Sequence, residues 1–224
     1  MDLGLDALRQ EICRVGRSLF ERGYVHATAG NISVRLDAAQ GGGFLITPTD
    51  ACLGFLQPSQ LAWVDATGEQ RSGDRASKTL TLHRRIYEAA PGACCVIHTH
   101  STHLVALTLE GVWSADDILP PLTPYYVMKV GHVPLIPYHR PGDPAVADAV
   151  VQAIDRAAQR GTPLRAVMLE RLGPNVWGDS PAAAMATLEE LEETARLWLM
   201  SKRRPAPLTD AQIDELRRHF GAPW

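Results

Sequence analysis

Apolar residues follow helical and strand spacing in turn along the first hundred residues. From residue 5 to residue 19 they recur every three or four positions, which predicts an amphipathic first helix that stops at Gly23. Residues 29–36 then alternate between apolar and polar, and residues 44–47 are mainly apolar after a run of three glycines. This pattern predicts two strands joined as a hairpin, with a third strand at residues 61–64.

The rest of the chain continues to mix the two spacings. We expect a helix that begins after Ser77 and ends before Pro91, and a buried strand from Cys94 to His98. Further helices are predicted at residues 100–109, 145–158 and 180–202, further strands at 133–136, 165–169 and 175–177, and a short tail helix with Thr209 as its N-cap. The fold class is therefore α/β: a single three-layer α/β/α domain with a central mixed, mainly antiparallel sheet in residues 1–204, and a C-terminal tail with a short helix in residues 205–224.

Composition narrows the class of protein. The formal net charge is −3 and no stripe of lysine and arginine with interleaved aromatics occurs, so we expect no nucleic-acid partner. The apolar runs are too short to cross a bilayer and the N-terminus lacks the regions of a signal peptide, so we expect no membrane partner. Four cysteines without a CxxC pair indicate reduced, mostly buried thiols in a cytoplasmic protein.

The strongest chemical signal is the pair His98 and His100. Residues two apart in a strand point to the same face, and two imidazoles at a strand end can both reach one metal ion. An isolated pair of this kind also arises from one core histidine and one surface histidine. Here it ends an apolar strand and runs into a helix start, which favours a divalent-metal site.

Three polar motifs precede the histidines. Gly30-Asn31-Ile32-Ser33 suits a backbone that approaches a ligand closely, although a plain turn explains it too. Thr47-Pro48-Thr49-Asp50 offers hydroxyls and amides to an anion, or is simply a proline-centred turn. Ser77-Lys78 at a helix start attracts anions, or is an N-cap beside a solvated lysine.

The order and spacing of these four motifs resemble the class II aldolase/adducin family over residues 5–202. The likeness is closest to its branch of four-carbon sugar-acid phosphate decarboxylases and fuculose-phosphate aldolases. The segments that carry this branch likeness are Leu119 to Met128, Arg140 to Pro144 and Glu189 to Ala195.

The resemblance implies a metal-dependent carbon–carbon lyase. Family members hold a divalent metal, usually zinc, with three histidines, and His98 and His100 match two of them. Asn31, Thr47 and Ser77 match positions that bind the substrate phosphate, and Thr49, Asp50 and Thr79 join the expected substrate-binding set. Tyr125 or Tyr126 lies where relatives contribute to a site at a subunit boundary, and we take Tyr126 as a candidate catalytic residue. Relatives are commonly cyclic homotetramers, so we expect a homo-oligomer, a tetramer by preference.

Three positions depart from the family pattern. Leu172 stands where the third metal histidine is expected, Thr79 where a catalytic glutamate is expected, and Asp50 where the phosphate turn has glycine. Glu170, two residues before Leu172, and His139 are the replacement ligands that the sequence offers. We favour a site of two histidines and a glutamate; a weak two-histidine site and no metal at all are the alternatives. Zinc is the preferred metal, with manganese, iron or cobalt as substitutes.

These departures also change the expected chemistry. Thr79 cannot transfer a proton as a carboxylate does, and Lys78 could act as acid, base or Schiff-base amine if desolvated. Asp50 in a partly dry pocket would repel a phosphate, so we expect a substrate that is not phosphorylated. The function predicted is a diverged metal-dependent lyase, of aldolase or decarboxylase type, acting on a small carbonyl or acid substrate. The alternatives are an aldolase-fold enzyme repurposed for condensation, cyclisation or oxidation in a biosynthetic pathway, and a non-catalytic adducin-like binding protein.

Overall fold

A computed structural model describes residues 4–202 and 205–224. Within these residues the helices are α1 (Leu5–Glu21), α2 (Leu80–Ala89), α3 (Thr102–Glu110), α4 (Ala145–Gln159), α5 (Pro181–Met200) and α6 (Asp210–Phe220). The strands are β1 (Asn31–Arg35), β2 (Phe44–Ile46), β3 (Ala62–Val64), β4 (Gln70–Ser72), β5 (Cys95–His98), β6 (Leu135–Ile136), β7 (Ala166–Leu169) and β8 (Gly173–Gly178). None of the helices in the described ranges is both long and apolar enough to cross a membrane.

The strands form a mixed sheet in the order β4-β3-β2-β1-β5-β8-β7-β6. β1 pairs antiparallel with both β2 and β5, β3 pairs antiparallel with β2 and β4, and β7 pairs antiparallel with β8. β6 pairs parallel with β7. The predicted α/β class with a mixed, mainly antiparallel sheet is confirmed. The domain boundary near residue 204 stays a prediction.

The chain divides into two compact units. The first comprises residues 4–100 with Trp177–Met185, and the second comprises Ser101–Val176 with residues 186–202 and 205–224. In the first unit the apolar stripe of α1 is buried as its spacing predicts, through Leu8, Ile12, Val15 and Leu19. Gly16 of α1 allows the helix to approach the turn at Leu53–Phe55, because a Cβ there would lie 2.9 Å from the Leu53 carbonyl oxygen.

The predicted hairpin is present between β1 and β2, with Ser33 opposite Ile46 and Arg35 opposite Phe44. Its loop uses glycines at positive φ, and Leu36 N donates to the Gly43 carbonyl at 2.8 Å to close it. Strand β4 was not predicted. It is short and fully exposed, so no apolar alternation marks it, and its pairing with β3 alone defines it.

In the second unit the acidic run in α5 has a structural role that the sequence did not indicate. A run of glutamates on a helix usually faces solvent. The Glu192 side chain is nevertheless buried, and its carboxylate accepts hydrogen bonds from the backbone amides of His103 (3.0 Å) and Leu104 (3.1 Å). These amides lie in the first turn of α3, whose N-terminal N–H groups lack partners within the helix. Glu192 therefore caps α3 across 88 residues of sequence.

The C-terminal tail packs within the second unit. Thr209 forms the predicted N-cap of α6 in a capping box with Gln212, and Ile213 packs with Val127 and Ala222. The final residue, Trp224, stacks on His132 with ring centroids 4.4 Å apart. The tail helix is therefore held both by its cap and by apolar contacts.

Adjacent glycines in the β1–β2 loop give a matched stability test. Both have left-handed φ, +68° at Gly42 and +79° at Gly43, but a Cβ meets nothing within 4 Å at Gly42 and overlaps the Val64 carbonyl and Asp65 at Gly43. Gly42→Ala should lower the free energy of unfolding by about 1–2 kcal/mol, from backbone strain alone. Gly43→Ala should lower it by roughly 1–3 kcal/mol more because of the overlap. Urea unfolding followed by circular dichroism measures both values, and equal losses would contradict the close approach of the loop to β3.

Candidate active site

His98 and His100, the candidate metal ligands, lie together at the end of β5. His98 is the last residue of the strand and is buried, and His100 follows two residues later and is partly buried. Their ring centroids are 5.1 Å apart, with the ring planes at 70°. Two imidazoles on one tetrahedral zinc ion, each about 2.0–2.1 Å away through nitrogen, have ring centres roughly 5 Å apart. This separation is compatible with two ligands of one metal ion, and the metal site itself stays a prediction.

Strand β1 brings Asn31 beside this pair. Asn31 is opposite His98 in the antiparallel register, so both side chains lie on the same face of the sheet. Asn31 is buried, and within the described residues its Oδ1 has no hydrogen-bond partner. Buried acceptors are normally paired, so this oxygen is suited to a donor from a bound molecule.

We expected Gly30 to let the backbone approach a ligand, but its close neighbour is the backbone of β5. Its φ is +84°, and a Cβ would lie 2.8 Å from the His98 carbonyl oxygen. The close neighbour of the glycine is therefore the β5 backbone.

A buried polar network behind Asn31 was missed from the sequence. Ser33 Oγ lies 2.8 Å from His83 Nδ1 and 2.8 Å from the Tyr87 hydroxyl, which also donates to the Ser33 carbonyl at 2.9 Å. His83 and Tyr87 lie four apart on α2, and Ser33 is two residues from Asn31 on β1. The signal was available in these spacings, because i and i+4 share a helix face and i and i+2 share a strand face.

His83 is fully buried, and burial lowers its pKa to about 3, with a smaller contribution from the charge of His98. Its Nε2 has no hydrogen-bond partner in the described part of the chain. The imidazole is therefore neutral at physiological pH.

Thr47 joins β1 to the start of α2. Ile32 N donates to Thr47 Oγ1 at 3.1 Å, and Thr47 N donates to the Ile32 carbonyl at 3.0 Å. Ser77 N then donates to the Thr47 carbonyl at 3.3 Å, and Ser77 Oγ lies 2.9 Å from Thr79 Oγ1. The structure thus brings four of the predicted substrate-binding residues, Asn31, Thr47, Ser77 and Thr79, into one connected region.

The remaining predicted binding residues border this region. Thr49 N donates to the Arg75 carbonyl at 2.9 Å, so its backbone amide is engaged within the protein. Asp50 is exposed with φ +56°, and Lys78 is exposed just before α2. The exposure of Lys78 does not meet the condition of desolvation that we set for acid, base or Schiff-base chemistry, and its catalytic role stays a prediction.

The proposed replacement ligands lie in the second unit. Glu170 follows β7, and its Oε2 accepts a hydrogen bond from Tyr138 N at 2.9 Å, next to His139. Leu172, in the turn before β8, is partly buried. No three histidine, cysteine, aspartate or glutamate side chains in the described ranges are placed together so as to hold a metal ion. The roles of Glu170 and His139 therefore stay predictions.

Tyr126 is fully buried in a π-helical turn, Tyr126–Val130, and its ring lies edge-on to Trp224 with centroids 5.7 Å apart. Burial, and to a lesser degree the charge of Asp117, raise its pKa well above the usual value. Tyr125 is exposed. The catalytic role suggested for Tyr126 stays a prediction.

A third histidine, His26, lies near the pair and was not singled out from the sequence. It is exposed in the turn between α1 and β1, and its ring centroid is 6.4 Å from that of His100. Burial, and then the charge of His26, lower the pKa of His100. No spacing rule links residue 26 to residue 100, so only the fold reveals this neighbour.

The depressed pKa of His83 predicts an acid-dependent loss of stability. The unfolded chain binds a proton at His83 below about pH 6.5, whereas the folded protein does not do so until about pH 3. Stability from this residue is therefore present above pH 6.5 and lost as the pH falls towards 3, at up to about 1.4 kcal/mol per pH unit. In urea unfolding between pH 7 and pH 4, His83→Asn should flatten this dependence, while His219→Asn, at an exposed histidine, should retain it. An unchanged slope in His83→Asn would show that His83 is not a neutral buried base.

Comparison with known proteins gives the family. The sequence profile of the Class II Aldolase and Adducin N-terminal domain matches residues 10–199. A 3-oxo-tetronate 4-phosphate decarboxylase from Cupriavidus necator is 58% identical over 222 residues, which is 97% of each chain. A protein of the same name from Escherichia coli K12 is 42% identical over 213 residues, covering 94% of this chain and 95% of its own.

Solved structures agree. YgbL from Klebsiella pneumoniae aligns with a TM-score of 0.84 at 42% identity, covering 96% of this chain and 100% of that chain. An L-fuculose 1-phosphate aldolase aligns with a TM-score of 0.77 at 22% identity, covering 96% of each chain, which is a likeness of fold alone. The predicted family and the prediction of a lyase-type enzyme are confirmed, whereas zinc, the tetramer and the cytoplasmic location stay predictions. The chain belongs to the class II aldolase and adducin family.

Proposed function

We propose that the chain decarboxylates a four-carbon 3-oxo acid carrying a 4-phosphate, the 3-oxo-tetronate 4-phosphate type of substrate. The observation that carries this proposal is the 58% identity to the Cupriavidus necator decarboxylase across 97% of both chains. The retained cluster of Asn31, Thr47, Ser77 and the two β5 histidines supports it, because these are the residues expected to hold the reacting molecule.

Decarboxylation of such a substrate has few chemical requirements. The C1–C2 bond breaks, carbon dioxide leaves, and the electron pair of the bond enters the C2–C3–O system as an enediolate. A proton then adds at C2, which leaves a three-carbon hydroxyketone phosphate. The reaction needs stabilisation of negative charge on the C3 oxygen and a proton at C2. It needs no base to remove a proton from a substrate hydroxyl.

This last point explains how activity can persist without the family glutamate. Aldol cleavage requires a base that deprotonates the hydroxyl beside the breaking bond. The residue in the expected position is Thr79, whose hydroxyl is 2.9 Å from Ser77 Oγ and does not act as a base near neutral pH. Decarboxylation therefore remains open to this site where aldol cleavage does not.

The phosphate end suits the start of α2. The Lys78 ammonium and the amides at the first turn of this helix, of 10 residues, favour an anion. We expected Asp50 to exclude a phosphate because we assumed a partly dry pocket, but Asp50 is exposed. In water two unit charges about 4 Å apart repel by only about 1 kcal/mol. The objection to a phosphorylated substrate therefore loses its physical basis, and the names of the relatives point the same way.

Class II aldolases generally depend on a divalent metal ion. Such an ion supplies charge stabilisation at the substrate carbonyl. His98 and His100 fit two of its ligands, and no third is placed with them in the described ranges. We therefore assign no step to the metal. In this proposal Asn31 Oδ1 accepts a hydrogen bond from a substrate hydroxyl or a bound water. The Lys78 ammonium offsets the negative charge of the phosphate.

Product analysis tests the reaction. Purified protein supplied with divalent metal should release carbon dioxide from 3-oxo-tetronate 4-phosphate, with kcat/KM at least about 100-fold above that for the unphosphorylated acid, since charge-assisted contacts to the phosphate are lost in the latter. L-fuculose 1-phosphate should not be cleaved. Equal turnover of both acids would favour the original prediction of a substrate without phosphate. Cleavage of L-fuculose 1-phosphate would contradict the argument that Thr79 cannot act as the base of an aldol cleavage.

A charge variant tests the proposed phosphate contact. Lys78→Met should raise KM for the phosphorylated acid by about 10-fold or more and reduce the preference over the unphosphorylated acid. Lys129→Met removes an exposed lysine in the second unit and serves as the matched control, with both constants unchanged. If Lys78→Met lowers turnover of both acids equally, Lys78 acts on the reacting carbons and does not bind the phosphate.

A further inference from the structure

Three histidines of the first unit cluster at one end of β5. His98 and His100 have ring centroids 5.1 Å apart, and His26 and His100 have centroids 6.4 Å apart with ring planes at 70°. His98 is fixed by its pairing with Asn31 and by burial, whereas His26 is exposed in the turn before β1. The cluster therefore combines one buried, one partly buried and one exposed imidazole.

The distances define how far this cluster is from a metal site. Ring centres of two histidines on one tetrahedral ion lie roughly 5 Å apart, so the His98–His100 pair already fits. The ring centroids of His26 and His100 are 6.4 Å apart, which exceeds this value by about 1 Å. As placed, the described residues contain no complete set of three ligands, which agrees with this gap. Rotation of an exposed side chain between staggered rotamers moves a ring by more than that.

An independent feature indicates that something polar binds here. Asn31 Oδ1 is buried without a hydrogen-bond partner in the described residues, on the same sheet face as His98. A water or substrate hydroxyl held by a metal ion at His98 would donate to such an oxygen. The unpaired atom and the histidine cluster thus belong to the same part of the first unit.

We propose that His26, His98 and His100 form a three-histidine site for a divalent cation of the zinc class, in which His26 takes the place of the ligand lost at Leu172. Three imidazoles and one open position are a known catalytic zinc arrangement, and imidazole suits zinc and cobalt. All three ligands come from one compact unit. The inference concerns metal binding alone and does not depend on the proposed reaction.

Metal affinity in the absence of substrate tests the proposal. The full chain, stripped with a chelator, is titrated with zinc against a chromophoric competitor, and cobalt(II) is added separately to record its visible absorption. The wild-type chain should bind one ion and give the intense bands of a four-coordinate cobalt site. His26→Ala should raise the zinc Kd by at least about 100-fold and weaken these bands, because two neutral imidazoles make a poor site.

Matched variants separate His26 from the other candidates. His219→Ala removes an exposed histidine of α6 and should leave the zinc Kd unchanged, as should Glu170→Gln and His139→Ala. Circular dichroism confirms that each variant is folded, and His100→Ala, at a partly exposed position, should lose binding as His26→Ala does.

Three results would overturn the inference: no stoichiometric ion in the wild-type chain, an unchanged Kd in His26→Ala, or a loss of binding in Glu170→Gln or His139→Ala with His26→Ala intact. Because no turnover is measured in the titration, a failure of the proposed decarboxylation leaves this result unaffected.

Discussion

The antiparallel pairing of β1 with β5 is the constraint on which the candidate site depends. It places Asn31 opposite His98, and Gly30 lets the two backbones approach because any Cβ there would lie 2.8 Å from the His98 carbonyl oxygen. Thr47 extends the same register, since both of its hydrogen bonds to Ile32 tie the β2 end to β1. The site geometry is thus set by backbone pairing in the centre of the sheet, where packed neighbours hold it more firmly than a loop would.

Polar residues in this buried region need partners, and the partners come from α2. Ser33 bonds to both His83 and Tyr87, which allows a serine and a neutral imidazole to be buried without unpaired charge. Among the buried side-chain atoms of the described residues that have no hydrogen-bond partner, Asn31 Oδ1 and His83 Nε2 belong to this region. Asn31 belongs to β1, and His83 bonds to Ser33 of the same strand. A molecule bound beside β1 and β5 could supply the missing hydrogen bonds.

Sequence reasoning recovered what local periodicity encodes. The strand that ends at His98 and the hairpin of β1 and β2 were predicted because apolar alternation and glycine turns are short-range signals. Glu192 capping α3 was not predicted, because a carboxylate 88 residues away leaves no local trace. His26 was missed for the same reason: its closeness to His100 follows from the fold of the first unit, and the spacing along the chain carries no information about it.

The altered family positions differ in what they remove. The Thr79 side chain cannot act as a base near neutral pH, and the proposed decarboxylation needs no base to deprotonate a substrate hydroxyl. Under our proposal this change therefore disfavours aldol cleavage and leaves decarboxylation possible. Leu172 stands where the family resemblance implies a metal-binding histidine, and both reactions need charge stabilisation at the carbonyl oxygen, so under our proposal another group must supply what that histidine would have held. If a metal ion supplies that stabilisation in this chain, other residues must complete its set of ligands. The position of His26 beside His100 therefore bears on whether the scaffold shared with the decarboxylases retains their chemistry.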